Sequence, residues 1–199
     1  MKYKHIFFDL DRTLWDYETN AQRALTQIYG DYALNSFYPT AEAFMEVYHR
    51  HNEQLWQDYR MGKTSKENLR SERFKRVLLE KGCKDERLPV LLGDAYLSMA
   101  PAMTALFPGT RETLDDLTKK GYRLYILTNG FLKTQESKLA NSKISQYFRR
   151  IFSSDELGIN KPHREIFHWA VSSLNARKKE CLMIRSEEHT SELQSLLII

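Results

Sequence analysis

Two cysteines in 199 residues are too few for a disulfide framework. Cys83 lies in a polar stretch and Cys181 opens an apolar one, so no pairing is expected, and free thiols suit a reducing cytoplasm. Only 8 Gly and 5 Pro are present, which excludes a linker-rich or low-complexity chain. No apolar run approaches the ~20 residues of a membrane span. The start, "MKYKHIFFDLD", is too briefly apolar for a signal peptide and meets acidic residues at once. Charge of one sign is not concentrated either. The 30 Lys and Arg against 26 Asp and Glu give +4, spread along the chain, and clusters such as Arg177, Lys178 and Lys179 read as solvated helix ends. A nucleic-acid polymer needs a contiguous basic face, so such a partner is not expected. What remains is a soluble cytoplasmic protein, 42% hydrophobic, long enough for one sizeable core with a small appended domain.

The pattern along the chain alternates. "HIFF" (His5–Phe8) reads as a buried strand running into Asp9. About ninety residues of helical texture follow. In them Phe44, Val47, Tyr48, His51, Leu55 and Tyr59 recur at three- and four-residue spacing, and Thr64 with Glu67 suggests a capping box. From "LFPGT" the texture changes to strand–helix alternation: "YRLYILTNG", a helix near Leu132–Ala140, "RRIFSSDELGINKP", the helix "HREIFHWAVSSLN", and a fourth strand in "ECLMI". Alternation of this kind predicts an α/β fold, a Rossmann-like parallel sheet covered on both faces. The expected division is a core of residues 1–14 and 103–184, a helical-bundle cap of residues 15–102 inserted after the first strand, and a tail of residues 185–199.

In open α/β sheets ligands bind at the carboxyl ends of the strands. There the sequence offers Asp9 and Asp11, then Thr128-Asn129-Gly130, then Lys161-Pro162. Two carboxylates two residues apart point to the same side of an extended backbone and repel unless they share a cation or a proton. Mg²⁺ takes such hard oxygen ligands, and one carboxylate could attack an electrophile while the other moves protons. Taken alone, the pair also suits an Asx-type turn or a helix cap. Thr128 alone suits a strand end, and Lys161 alone a surface lysine. With Asn129 and Gly130 at a helix start, however, Thr128 belongs to a ready anion site.

"DLDRT", "LTNG" and "GINKP", in this order with a helical insert after the first, resemble motifs one to three of the haloacid dehalogenase-like hydrolase superfamily, and the insert resembles the cap of its first subclass. At a finer level "FFDLDRTLWD", "LTNG" and "SSDELGINKPHREIF" are similar to the pyrimidine 5'-nucleotidase group. The resemblance implies a phosphatase in which Asp9 attacks phosphorus to form an aspartyl-phosphate. Asp11 then protonates the leaving oxygen and activates water. Thr128 and Lys161 hold the phosphoryl group, with Asn129 and Gly130 at the same turn. Mg²⁺ is bound by the Asp9 carboxylate and the Asp11 main-chain carbonyl. Dehalogenases of the family lack an aspartate at the Asp11 position. Cations are needed because each carboxylate–phosphate charge pair costs about 4 kcal/mol at ~4 Å and an effective dielectric near ~20. Two such pairs are ~8 kcal/mol, or roughly six decades of rate.

The family's fourth motif is a Gly-Asp pair directly after the fourth strand. Here Arg185-Ser186-Glu187-Glu188 follows Ile184, and no aspartate occurs after Asp155. Glu187 or Glu188 could substitute, or the protein could be a degenerate phosphatase turned binding protein. The preferred reading is that "RSEEHTSELQS" resembles translated sequencing-adapter DNA joined to a shortened gene. On that reading the core is incomplete at its C-terminus, the chain as written is poorly soluble, and its phosphatase activity is negligible. The expected function of the complete site is hydrolysis of a small phosphomonoester, a pyrimidine nucleoside 5'-monophosphate first and a sugar phosphate or phosphoglycolate second. A non-catalytic phosphate-binding module is the alternative from another class. Trp15 and Asp16 are the expected substrate contacts, whereas Phe37, Tyr38, Tyr48, Trp56 and Tyr59, at helical spacing, read as core.

Overall fold

A computed structural model describes residues 2–186; Glu187 and Glu188, and the rest of the adapter-like segment, lie outside the described residues. Four strands, β1 (His5–Phe8), β2 (Arg123–Thr128), β3 (Phe148–Ser153) and β4 (Cys181–Ile184), form one all-parallel sheet in the order β3-β2-β1-β4. The helices in chain order are α1 (Tyr17–Asp31), α2 (Ala41–Arg60), α3 (Lys66–Leu79), α4 (Leu88–Ala102), α5 (Thr110–Lys119), α6 (Leu132–Asn141), α7 (Ser154–Leu157) and α8 (Arg164–Ser173). The chain divides into two compact units. One joins the segment up to Glu18 with everything from Thr104 onward, and the other is Thr19–Met103.

Within the sheet unit β1 is central and buried at all four positions, as a strand covered on both faces requires. Phe7, Tyr125, Leu127 and Phe152 share a cluster with Ile166, Phe167 and Ala170 of α8. Each such large side chain taken from water contributes about 1.5–3 kcal/mol, so α8 is held by its apolar stripe. The sheet order carries the functional consequence. From β1 the chain proceeds through β2 to β3 on one side, then crosses back to place β4 on the other side. The order therefore reverses beside β1, and such a switch point opens a crevice at the strand ends. Asp9 is the first residue past β1.

His5 is the buried polar residue of β1. Its Nδ1 lies 3.2 Å from the Tyr125 hydroxyl, and its ring stacks on that of Tyr125 at 5.7 Å. Burial, with Arg123's charge adding to it, lowers its pKa below 6.5. A base held neutral in the fold binds fewer protons than the unfolded chain as pH falls through 6.5. Stability is thus expected to decline as pH drops below about 6.5. In urea titrations the decline should be shallower for His5→Phe than for wild type, and an identical pH profile would contradict this account.

The second unit is all helical. Tyr38, Phe44, Tyr48, Phe74 and Tyr96 form its centre with Leu25, Ile28, Leu34, Val77 and Leu92. Tyr38 donates to the Val77 carbonyl at 2.6 Å, and burial pushes its pKa up to about 12. Tyr38 and Tyr48 are thus core, Phe37 packs on that core, and Trp56 meets Tyr59 edge-on at 5.8 Å. The cap of α3 differs from the Thr64–Glu67 expectation. Ser65 is the N-cap, because its extended backbone lets its Oγ accept from Asn68 N at 3.1 Å. Among the described residues both cysteines are free and buried, and no helix is long and apolar enough to cross a membrane.

Candidate active site

The strand ends bring the predicted residues together. Past β1 the chain does not stay extended. The Leu10 carbonyl accepts from the amides of Leu14 (3.0 Å) and Trp15 (2.9 Å), and Arg12 sits at φ 64°. This tight turn aims the two carboxylates at different partners. The extended backbone on which the same-side expectation is conditional is therefore not present past Asp9. Asp9 Oδ1 accepts from Leu10 N at 2.9 Å, while its Oδ2 pairs with Lys161 Nζ at 2.9 Å. Asp11 Oδ1 pairs with Lys138 Nζ at 2.5 Å, and its Oδ2 accepts from Gln135 Nε2 at 3.0 Å. Each carboxylate has its own lysine.

The loop after β2 supplies the second wall. Thr128 Oγ1 accepts from Gly130 N and from Gln135 Nε2, both at 2.9 Å. With both acceptor directions used, its hydroxyl proton is what it has to donate. Two serines at the end of β3 secure this loop: Ser153 Oγ donates to the Gly130 carbonyl at 2.7 Å and Ser154 Oγ to the Asn129 carbonyl at 3.3 Å. Asn129, expected at the anion site, spends its side chain elsewhere. Its Oδ1 accepts from Lys161 N at 2.7 Å and its Nδ2 donates to the Lys161 carbonyl at 3.0 Å. It is a clamp on the backbone that delivers Lys161. Lys161 itself is 7% exposed and donates to the Leu127 carbonyl at 2.9 Å besides pairing with Asp9, so it is no surface lysine.

Gln135 and Lys138 of α6 were not among the predicted site residues. The signal was present: Gln135 lies three residues after Leu132 and four before Leu139, a polar side chain on the buried stripe of its helix. It is fully buried and Lys138 is 7% exposed. Trp15, expected to touch substrate, is 1% exposed and lies beneath the Lys138 ammonium at 4.3 Å from its ring centre. The Asp16 amide donates to the Ala105 carbonyl at 3.1 Å.

A divalent cation here would find oxygen donors. The Asp9 carboxylate is one, and the Asp11 main-chain carbonyl, the second donor that the family resemblance implies, lies two residues on. No group of three or more His, Cys, Asp or Glu that could hold a metal occurs among the described residues. A hard ion that keeps several waters and takes one or two carboxylates, as Mg²⁺ does, fits this set.

An α/β sheet with a carboxylate beside a buried lysine at its switch point, and a second carboxylate two residues on, places the candidate site at the carboxyl ends of the strands. The chain belongs to the haloacid dehalogenase-like hydrolases, whose family pattern it matches over residues 3–184. It is 29% identical over 194 residues to the pyrimidine 5'-nucleotidase PynA of Streptococcus pneumoniae, covering 98% of this chain and 79% of that protein. It is 30% identical over 186 residues to a glyceraldehyde 3-phosphate phosphatase of Methanothermobacter thermautotrophicus, covering 91% and 76%. Among solved structures it is similar to the magnesium-bound HAD-hydrolase YfnB of Bacillus subtilis, with a TM-score of 0.82 at 26% identity, covering 92% of this chain and 79% of that one.

Proposed function

We propose that the site hydrolyses small phosphomonoesters, pyrimidine nucleoside 5'-monophosphates in particular, with Asp9 as nucleophile. The observation that carries this reading is the division of labour between the carboxylates. Asp9 stands against a buried cation that can accompany a phosphoryl group, while Asp11 is held by partners of its own, Lys138 and Gln135. An Asp9 oxygen attacks phosphorus, the phosphorus–oxygen ester bond breaks, and the departing oxygen takes a proton from Asp11. Asp11, now a carboxylate, removes a proton from water, whose oxygen attacks the aspartyl-phosphate. Orthophosphate leaves, with Asp9 restored and Asp11 protonated again. Lys161 and the Thr128 hydroxyl hold the phosphoryl oxygens throughout. Mg²⁺, held by the Asp9 carboxylate and the Asp11 carbonyl, would supply further positive charge against the repulsion between Asp9 and the phosphate dianion. Buried free thiols and the absence of clustered basic charge fit a cytoplasmic enzyme acting on a small molecule.

The nucleotide preference is supported by the similarity to PynA, and a triose or sugar phosphate is the second reading, supported by the archaeal phosphatase. Phosphate release should be measured from UMP, CMP, dTMP, AMP, glyceraldehyde 3-phosphate and phosphoglycolate, with and without Mg²⁺. At least about tenfold higher kcat/KM on the pyrimidine nucleotides is expected, a difference of ~1.4 kcal/mol in transition-state binding, with loss of activity in chelator. A profile led by glyceraldehyde 3-phosphate would favour the second reading. Binding of phosphate compounds without turnover of any would replace both with a binding module.

A further inference from the structure

Gln135 and Lys138 lie one helical turn apart on α6, on a face that meets the ends of β1 and β2. Between them they occupy both oxygens of Asp11, Lys138 on Oδ1 and Gln135 on Oδ2. The Gln135 amide nitrogen has a second hydrogen, and it goes to Thr128 Oγ1. A single buried amide therefore ties a carboxylate after β1 to a hydroxyl at the end of β2. Its orientation is forced: turned over, its carbonyl oxygen would face the Asp11 carboxylate, acceptor against acceptor. The chain accepts a cost for this arrangement. Gln135 Oε1 is buried with no hydrogen-bond partner among the described residues, and an unmet buried acceptor is expensive. A residue there only to fill the core would be apolar. Gly130 bears the same mark, since a Cβ at that position would lie 1.8 Å from Gln135 Nε2. Lys138 is fixed from two sides, by Asp11 and by the Trp15 ring.

We infer that Gln135 and Lys138 are positioning residues for proton transfer, orienting the Asp11 carboxyl toward the departing ester oxygen and aiming the Thr128 hydroxyl proton at the phosphoryl group. This rests on the phosphatase reading above. Each Asp11 oxygen accepts one bond from the pair and keeps a second lone pair, so the orientation of the carboxyl group is fixed while either oxygen can still carry the proton. Neither α6 residue touches the reacting atoms. They act through Asp11 and Thr128.

A role in orienting Asp11 differs measurably from a role in holding the fold. Proton delivery matters for an alkoxide leaving group and little for p-nitrophenolate, which departs unaided. The comparison is kcat/KM, which reports the step that transfers phosphoryl to Asp9. It is to be measured on the nucleoside or sugar monophosphate the protein turns over best and on p-nitrophenyl phosphate. The wild-type chain and the Arg185→Gly/Ser186→Asp chain serve as parents. Gln135→Met, which keeps shape and loses both bonds, should reduce kcat/KM about 30-fold or more on the alkyl phosphate but less than about fivefold on p-nitrophenyl phosphate, given that general acid catalysis supplies roughly 10²–10⁴. Lys138→Met should show the same disparity and Lys138→Arg should regain part of it. Equal losses on both substrates, or no loss, would overturn the inference and leave Gln135 as a structural pin. If Gln135→Met does not fold, the Lys138→Met and Lys138→Arg pair reads the same ratio. An Arg185→Gly/Ser186→Asp parent that binds orthophosphate yet hydrolyses neither substrate overturns the phosphatase reading, and this one with it.

Discussion

Phosphate release by Asp9→Asn is expected to fall by at least about three orders of magnitude, while its affinity for orthophosphate rises. The first effect follows from chemistry. An amide oxygen does not add to phosphorus to give a stable acyl phosphate, and losses on removing a nucleophile reach about 10⁶ where the group acts as part of a unit. The second follows from the geometry. Lys161 is buried, and in the substrate-free protein its charge is matched by Asp9 at 2.9 Å. Asparagine removes that anion and the repulsion it exerts on an entering phosphate, which Coulomb's law places at about 4 kcal/mol for unit charges ~4 Å apart at an effective dielectric near ~20. Even one third of that tightens binding about tenfold. The variant should also lose stability, by roughly 3–5 kcal/mol, because a buried lysine is left with the Leu127 carbonyl as its main partner. Metal-free calorimetric titration with orthophosphate checks affinity, and single-turnover phosphate release checks chemistry. Weaker phosphate binding by the variant would show that Lys161 does not face the phosphoryl site.

Arg185→Gly/Ser186→Asp should increase Mg²⁺-dependent turnover, at least about tenfold over a wild type that binds the ion weakly. The Asp9 amide donates to the Ile184 carbonyl at 3.0 Å, and the Ser186 amide donates to Thr13 Oγ1 at 3.0 Å. Position 186 therefore lies against the turn that carries Asp9 and Asp11, directly after β4, where the family resemblance places a Gly-Asp pair. A carboxylate there adds a charged oxygen ligand to a set that otherwise has one carboxylate and one carbonyl, and Mg²⁺ affinity follows ligand charge. The concentration of Mg²⁺ giving half-maximal rate should fall about tenfold or more, ~1.4 kcal/mol in binding. The Mg²⁺-dependent rise in unfolding temperature should grow with it. No change in either quantity would mean that residue 186 does not reach the ion.

The strands were legible in the sequence because a strand buried on both faces must be largely apolar, as Ile6–Phe8 and Leu124–Leu127 are. Asp9 just past β1, Thr128 at the end of β2 and Lys161 in the loop that follows α7 stood out as chemistry placed where a parallel sheet binds ligands. The side chains that hold these residues in place were less visible. Gln135 could have been noticed as a polar interruption of α6's buried stripe, but nothing local says what it would bond to. Asn129 shows the reverse: its neighbours marked it as an anion ligand, and a loop more than thirty residues away took both ends of its side chain.

Sequence by itself therefore determined the alternation of strand and helix and the helical insertion between β1 and β2, which follow from local composition and spacing, and it offered Asp9, Asp11, Thr128 and Lys161 as candidates through their motifs. Only the tertiary structure decided that Asp9 pairs with Lys161 and Asp11 with Lys138, that Trp15 supports a lysine and is buried, and that Gln135 joins Asp11 to Thr128. Those pairings depend on a turn after β1 whose backbone departs from the extended form and on contacts spanning about 120 to 150 residues. No local pattern encodes a contact at that separation. It exists because the sheet order brings the ends of β1, β2 and β3 to one edge.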